Sequence, residues 1–460
     1  MPTKPSDRPS LIVNFSALAG GHALGLVVPL LTVPYLARVL RPEGWAPVLV
    51  AQALASWAVL LLDYGFDLSA TRAVAHARAG IRAPQSNHAL IAIDAASDAA
   101  SYALGANTSN HSPSSNNAIE LSDIVWRVQH AKLLLVPIVL VFCAIAYFFV
   151  PSLRDEGQLI LWTSALAVFR GLNPLWFFQG IERVRGAVSI DVGAKVLGAL
   201  GVFVFVHGAN DGWKVLALQA VFACASTVLL SARLWREAPL LSLSLPSAVE
   251  ALRTSWPLFA FRASGTLYMQ ANTIILSLFA PPLAVAAYGG AERIVRAALN
   301  LLEPLIRLFL PRISFLSAAS PAEATQMIQR CLVALTIASA FGGTVIAIGA
   351  PTFVTLMLGS GYEAAIPVLR WLALLLPTIT IGTVLGTFWA LPFKRDRALL
   401  SATLTAGALN LALAYWLVPT LEALGMAAAV VSAEAFVALA LAVMYWKWRT
   451  SLSRSEVVTA

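Results

Sequence analysis

Apolar residues along this chain gather into runs of about 20, the length at which a helix crosses roughly 30 Å of hydrocarbon. Twelve such runs are predicted, over 11–36, 45–65, 131–150, 159–178, 187–207, 213–232, 255–279, 284–311, 331–350, 364–391, 399–418 and 423–446. The predicted fold class is therefore an all-α polytopic membrane protein with about 12 transmembrane helices. A connection at 236–254, carrying Pro239, Pro246 and several serines, separates an N-terminal six-helix half (1–235) from a C-terminal six-helix half (255–460). Two six-helix bundles around a central cavity is the arrangement expected of a two-bundle transporter. The first run exceeds the 7 to 15 residues of a signal-peptide apolar segment and another span follows it directly, so it is retained as a helix.

The longest break in the pattern, about 72–130, contains the polar tract Gly105–Asn117, which lacks the apolar residues to build a core and is expected to be disordered. Asn107-Thr-Ser and Asn110-His-Ser match glycosylation acceptors, but a stretch this rich in Asn and Ser generates that pattern by chance.

Composition sharpens the reading. The chain is 59 % hydrophobic and 12 % charged, with a mean hydropathy of +0.77. The spans leave no space for a soluble catalytic domain. Cys143, Cys224 and Cys331 each sit alone inside an apolar run, which excludes a metal cluster and reads as core packing. The net charge of +8 does not point to nucleic acid, because twenty Lys and Arg residues fall on the side of the termini and only Arg38, Arg41, Arg154 and Lys214 on the other. By the positive-inside rule both termini, the 72–130 stretch and the 236–254 connection are cytoplasmic.

Seven basic residues remain once those assigned to the two sides are counted, each within or just inside a span: Arg170, Lys195, Arg262, Arg293, Arg296, Arg307 and Arg370. Asp191, Glu292, Glu303 and Glu434 are the matching acids, leaving a surplus of three positive charges. A central Arg or Lys costs roughly 2.5 to 3.5 kcal/mol even on the lenient insertion scale, so each needs a partner, a wet cavity or a ligand. On the eighth span, Glu292, Arg296, Asn300, Glu303 and Arg307 fall at about 0°, 40°, 80°, 20° and 60°, with Arg293 at about 100°. This stripe rises about 22 Å at 1.5 Å per residue. Two explanations stay open: a cationic face on a cavity, or the i,i+4 pairs Glu292–Arg296 and Glu303–Arg307 neutralising each other against a neighbouring helix.

The seventh span carries a second polar face through Arg262, Thr266, Gln270, Thr273 and Ser277, and the first span adds Asn14, Gly21, His22, Gly25, Pro29 and Thr32. For His22, hydrogen-bonded packing and a proton-linked role both fit. Asp191 and Lys195 are one turn apart and expected to pair, whereas Arg170 has no acid at i±3 or i±4. Unpaired guanidinium groups around water suit phosphate or carboxylate. The candidate binding residues are Arg262, Arg293, Arg296, Arg307, Arg170, Lys195, Gln270, Asn300 and Asn14. Glu292, Glu303, Asp191, Glu434 and His22 are the candidates for ion coupling, and no metal or catalytic residue is expected.

Three blocks carry a family pattern: Val28–Arg38, Asn173-Pro-Leu-Trp-Phe-Phe-Gln-Gly-Ile-Glu182, and the stretch from Thr266-Leu-Tyr to Pro311-Arg-Ile-Ser314. The chain resembles the Wzx-type oligosaccharide flippases of the multidrug, oligosaccharidyl-lipid and polysaccharide exporter superfamily. The resemblance implies movement of polyprenyl-diphosphate-linked oligosaccharide repeat units across the bacterial inner membrane by alternating access, for O-antigen, capsule or exopolysaccharide export. It implies no cofactor beyond a proton or sodium gradient, and as partners the lipid-linked oligosaccharide, the membrane, and a glycan polymerase and glycosyltransferases of the same pathway. Asn272 departs from the family, where Asp is common, and Ala46-Pro47 replaces a usual Gly. A multidrug or cation antiporter of the same fold is the alternative, although cationic cargo favours an acidic interior. A membrane-embedded glycan polymerase or ligase is a further one, disfavoured by short outer loops and by six histidines with no nucleophile constellation beside them.

The basic asymmetry sets a topological expectation. Cysteines introduced at Ser109 and Ser244 should stay unlabelled by a membrane-impermeant thiol reagent in intact cells and react once the cells are opened. Labelling in intact cells reverses the orientation.

Overall fold

The computed structural model describes the backbone of residues 11–78, 115–154, 156–238 and 244–459; the side chains of 11–30, 115–120, 261, 264–270, 303, 307 and 452–459 are outside the description. Every regular element within it is helical. In chain order these are α1 (Leu11–Asp63), α2 (Phe66–Arg78), α3 (Ser115–Phe149), α4 (Gly157–Leu172), α5 (Leu175–Gly180), α6 (Val184–Phe205), α7 (Gly212–Glu237), α8 (Leu245–Phe279), α9 (Pro282–Leu299), α10 (Glu303–Ala319), α11 (Pro321–Ile348), α12 (Ala350–Met357), α13 (Ala365–Leu372), α14 (Leu375–Val384) and α15 (Asp396–Thr459). Short 3₁₀ segments precede α7 and α10, and a π-helical turn, Leu385–Ala390, comes after α14.

All twelve predicted runs lie on these helices, but not one to one. Two pairs of runs are each a single long helix broken at one residue: α1 at Arg41 (φ 58, ψ 173) and α15 at Glu422 (φ 49, ψ −123). Arg41 precedes Pro42, whose ring disfavours helical geometry in the residue before it. The run at 159–178 is split at Asn173-Pro174, and that at 284–311 by the 3₁₀ turn Asn300–Leu302. Seven helices among the described residues are long and apolar enough in themselves to cross a membrane. Their outer faces carry what a bilayer requires: on α11, Val333, Ile337, Phe341, Val345 and Ile348 follow helical spacing and are all exposed.

Two connections are shorter than predicted. The 72–130 stretch loses its ends to α2 and to the first turns of α3, which begins at Ser115; the rest of the polar tract lies outside the described residues. Amphipathic spacing explains both ends, since Phe66, Ala70, Val74 and Ala77 bury one face of α2 while Val125, Val128 and Ala131 bury the matching face of α3. Residues 245–254 of the expected 236–254 connection likewise form the start of α8, where Pro246 occupies the first turn and its missing N–H is tolerated.

The described residues divide into two compact units within α8, between Gln270 and Ala271. In the first unit, Trp176, Phe177 and Phe178 of α5 fill a core with Phe66, Val74, Leu230 and Leu234. The Asn173 side chain shapes this turn: its Oδ1 accepts from the Leu175 N–H at 3.0 Å and its Nδ2 donates to Ser226 Oγ at 3.3 Å. Tyr35 on α1 donates to the Val206 carbonyl at 2.6 Å, at the end of α6. In the turn before α7, Asp211 accepts from the N–H groups of His207 and Gly208, and Lys214 lies 2.6 Å from its other oxygen. The Lys214 hydrogen bond first, and then those N–H groups, hold the Asp211 carboxyl below the usual carboxylate range.

In the second unit, α9 buries every residue from Ala284 to Ala291, a run of small side chains around Tyr288, before its charged positions begin at Glu292. Asn410 of α15 donates to Asn272 Oδ1 at 2.8 Å, so Asn272 sits in a buried amide pair. Cys143 and Cys331 are buried and Cys224 is half-buried, all as free thiols.

At Gly171 α4 lies close against α1: a Cβ there would come within 2.3 Å of Leu62 Cδ2 and 2.7 Å of Leu62 Cβ. Gly171→Ala should therefore lower stability by about 1 to 3 kcal/mol through overpacking, read as a fall in thermal unfolding temperature in detergent. Gly193→Ala on α6, where no atom lies within 4 Å, is the control expected not to lower it.

Candidate functional site

The first unit concentrates its charge around the elbow between α1 and α2. Tyr64 (φ 48) and Gly65 (φ 77) turn the chain through the left-handed region, which presents Asp63 and Asp67 from either side of the bend. Gly65 also lies against α8, where an added Cβ would meet Phe259 N at 3.1 Å. Tyr64 stacks on Phe259 with ring centres 4.4 Å apart, and Ser69 and Ser255 hydroxyls are 3.0 Å apart. These contacts hold the first part of α8 to the elbow and bring Arg262 to the two aspartates.

Four charges then form one network. Lys132, only 1 % exposed, donates to Asp63 Oδ1 at 2.9 Å and to the Gly171 carbonyl at 2.9 Å. Arg262 donates to Asp67 Oδ2 and lies 3.6 Å from Asp63 Oδ2. The charge census counts Lys132, at the edge of the run 131–150, among the twenty residues on the side of the termini, leaves both aspartates out of the balance and groups Arg262 with the second half. The structure corrects all three: adding Lys132, Asp63 and Asp67 lowers the interior cationic surplus from three to two, and Arg262 is ion-paired within the first unit.

Also in the first unit, Lys195 pairs with Asp191 at 2.7 Å, as the spacing predicts. Arg170, in the last turn of α4, is exposed, and Asp191 acts on it electrostatically from α6, a partner that i±3 and i±4 spacing along its own helix could not reveal.

In the second unit, Arg296 reaches back to Glu292 Oε1 through Nε at 3.1 Å and Nη2 at 2.7 Å, so the first i,i+4 pair is formed. Glu434 of α15 acts on Arg296 electrostatically, and Arg293 feels Glu292 and Arg296. Asn300 is exposed at the 3₁₀ turn. A 3₁₀ segment advances about 120° per residue instead of about 100°, so three residues rotate the next helix by about 60°. The eighth span is thus two helical segments joined by Asn300–Leu302, with positions 303 and 307 on the second. Thr273 and Ser277 of the seventh-span face are buried in the second unit, with Ser277 Oγ donating to the Ile274 carbonyl at 2.7 Å, and so do not continue a wet face from Arg262. The side chains of Asn14, His22, Gln270, Glu303 and Arg307 lie outside the described residues. No cluster of three potential metal ligands occurs among the described residues.

Lys132 carries a sequence signal of its own. Val125, Val128, Leu135 and Val139 are buried at alternating spacings of three and four, and Lys132 fills the place between Val128 and Leu135. A lysine at a core position must bring an acid with it. Asp63→Ala should accordingly cost about 3 to 5 kcal/mol by leaving a buried ammonium without its carboxylate. Lys132→Met should cost less in the same thermal unfolding measurement, because Asp63 is partly exposed and keeps Arg262 nearby. Equal costs would show the pair not to be dominated by the buried ammonium.

The chain matches the polysaccharide biosynthesis protein family over residues 11–97 and 106–317. It is 24 % identical over 435 residues to a protein of Escherichia coli (strain K12) named as a candidate O-antigen transporter, a match that spans 94 % of this chain and 96 % of that one. Among solved structures, a multidrug resistance transporter of the MATE family in an inward-facing conformation superposes with a TM-score of 0.65 at 14 % identity, covering 96 % of this chain and 99 % of its own. The lipid II flippase MurJ in an inward closed conformation also gives 0.65, at 12 % identity, covering 94 % and 86 %. Both share the fold, and none of the three is named as an enzyme.

Proposed function

Because this chain belongs to the polysaccharide biosynthesis protein family, we propose that it moves a polyprenyl-diphosphate-linked oligosaccharide across the bacterial inner membrane by alternating access, with both termini in the cytoplasm. The observation that carries the reading is the persistence of arginines inside apolar helices: Arg170 on α4, Arg262 on α8, and Arg293 and Arg296 on α9. A membrane helix holds such groups against a large desolvation cost, and a diphosphate rewards it, since guanidinium forks match phosphate oxygens. The name of the Escherichia coli relative supports a lipid-linked glycan of the O-antigen type. The two-charge surplus argues against a cationic drug as cargo, and the fold alone does not separate the two, because both a drug transporter and a lipid flippase share it. Glycosyltransferases that build the cargo and a polymerase that consumes it are the partners this reading requires.

Transport in cells lacking their own flippase tests the assignment, with surface glycan as the readout. Arg170→Ala, Arg293→Ala and Arg296→Ala should each lower export by about 10- to 100-fold at normal expression, the scale of one lost charge-assisted hydrogen bond. Full export in all three removes the role given to these arginines. Coupling to a proton or sodium gradient belongs to the same proposal, with Glu292, Glu303, Asp191, Glu434 and His22 as its carriers. Collapsing both gradients should stop translocation in proteoliposomes, and unchanged flipping excludes the coupling.

A further inference from the structure

We infer that Asp67 is a built-in competitor for Arg262: an arriving diphosphate has to displace this one carboxylate before the guanidinium is available to it. The inference rests on the transport reading above and adds to it the residue that sets the affinity of the first unit for its cargo.

The four charges at the elbow are not equally committed. Asp63 is held by Lys132, which is 1 % exposed and among the described residues is satisfied by Asp63 and the Gly171 carbonyl. Removing Asp63 strands a buried charge, so this half of the network is fixed. Asp67 is different. Its Oδ2 meets Arg262, while its Oδ1 is buried with no hydrogen-bond partner, so half of the carboxylate is desolvated without compensation. Asp67 also stands in the first turn of α2, where the free N–H groups of the helix favour a negative charge. It therefore has somewhere to go on leaving Arg262.

Arg262 is about one-third exposed and keeps Asp63 at 3.6 Å, so losing Asp67 does not leave it without a counter-charge. A diphosphate offers several oxygens to the planar fork, against the single oxygen that Asp67 supplies. The exchange replaces one half-satisfied ion pair by a fuller one. It also keeps the guanidinium neutralised when no cargo is present, which suppresses capture of smaller anions.

Inorganic pyrophosphate is the probe, titrated calorimetrically into the full-length protein in lipid nanodiscs. Asp67→Asn and Asp67→Ser should bind it about 5- to 50-fold more tightly than the unaltered protein, and Asp67→Glu should restore the weaker binding. In the Asp67→Asn background, Arg262→Gln should abolish the gain. Unchanged or weaker binding in both the Asn and Ser variants, a gain that survives Arg262→Gln, or no pyrophosphate binding by any of these proteins overturns the inference. Elution as a single species on size exclusion establishes that each variant is folded. Translocation of lipid-linked oligosaccharide, measured separately, distinguishes the two levels: translocation without tightening removes the competition alone, and tightening without translocation removes the transport reading while the competition at Arg262 stands.

Discussion

A charged group within a bilayer has to bring its neutralisation along, and the Lys132 ammonium imposes that condition most severely here. It is sealed into α3 by packing, so Asp63 and the Gly171 carbonyl must be placed within hydrogen-bonding distance by two other helices. That requirement explains the bareness of position 171, since α4 approaches α1 closely enough for its carbonyl to reach the lysine only when no side chain intervenes. It also fixes the end of α1, and with it the elbow through Tyr64 and Gly65 that delivers Asp67 to Arg262. One desolvated charge thus organises α1, α2, α3, α4 and the start of α8.

The second unit meets the same condition more locally. Arg296 finds Glu292 on its own helix, one turn away, and Glu434 adds a charge from α15. A pair within one helix costs little to arrange and needs no distant element to be in register. The 3₁₀ turn at Asn300 then separates this pair from positions 303 and 307 of α10.

The run pattern is enough to locate the helices, because apolar length responds to a single constraint, the hydrocarbon thickness. Pairs along one helix are legible for a similar reason: Asp191 with Lys195 and Glu292 with Arg296 are written in the spacing. What depends on tertiary approach is not. Arg262 meets aspartates 195 and 199 positions earlier in the chain, and nothing along α8 announces them. Lys132 is hidden by its neighbours Gln129 and His130, which read as a polar connection although all three are buried. The breaks within spans are half legible, since Pro42 and Asn173-Pro174 signal theirs and Asn300 does not.

The position of the division between units has a practical meaning for anyone cutting the gene. Severing the chain at the connection before α8 would give two pieces of nearly equal size, but the later piece would carry residues 245–270, whose contacts with Tyr64, Ser69, Asp63 and Asp67 belong to the earlier one. That overhang is a ready-made adhesive. Co-expressed halves split there should reassemble through Arg262 and the stacked Phe259.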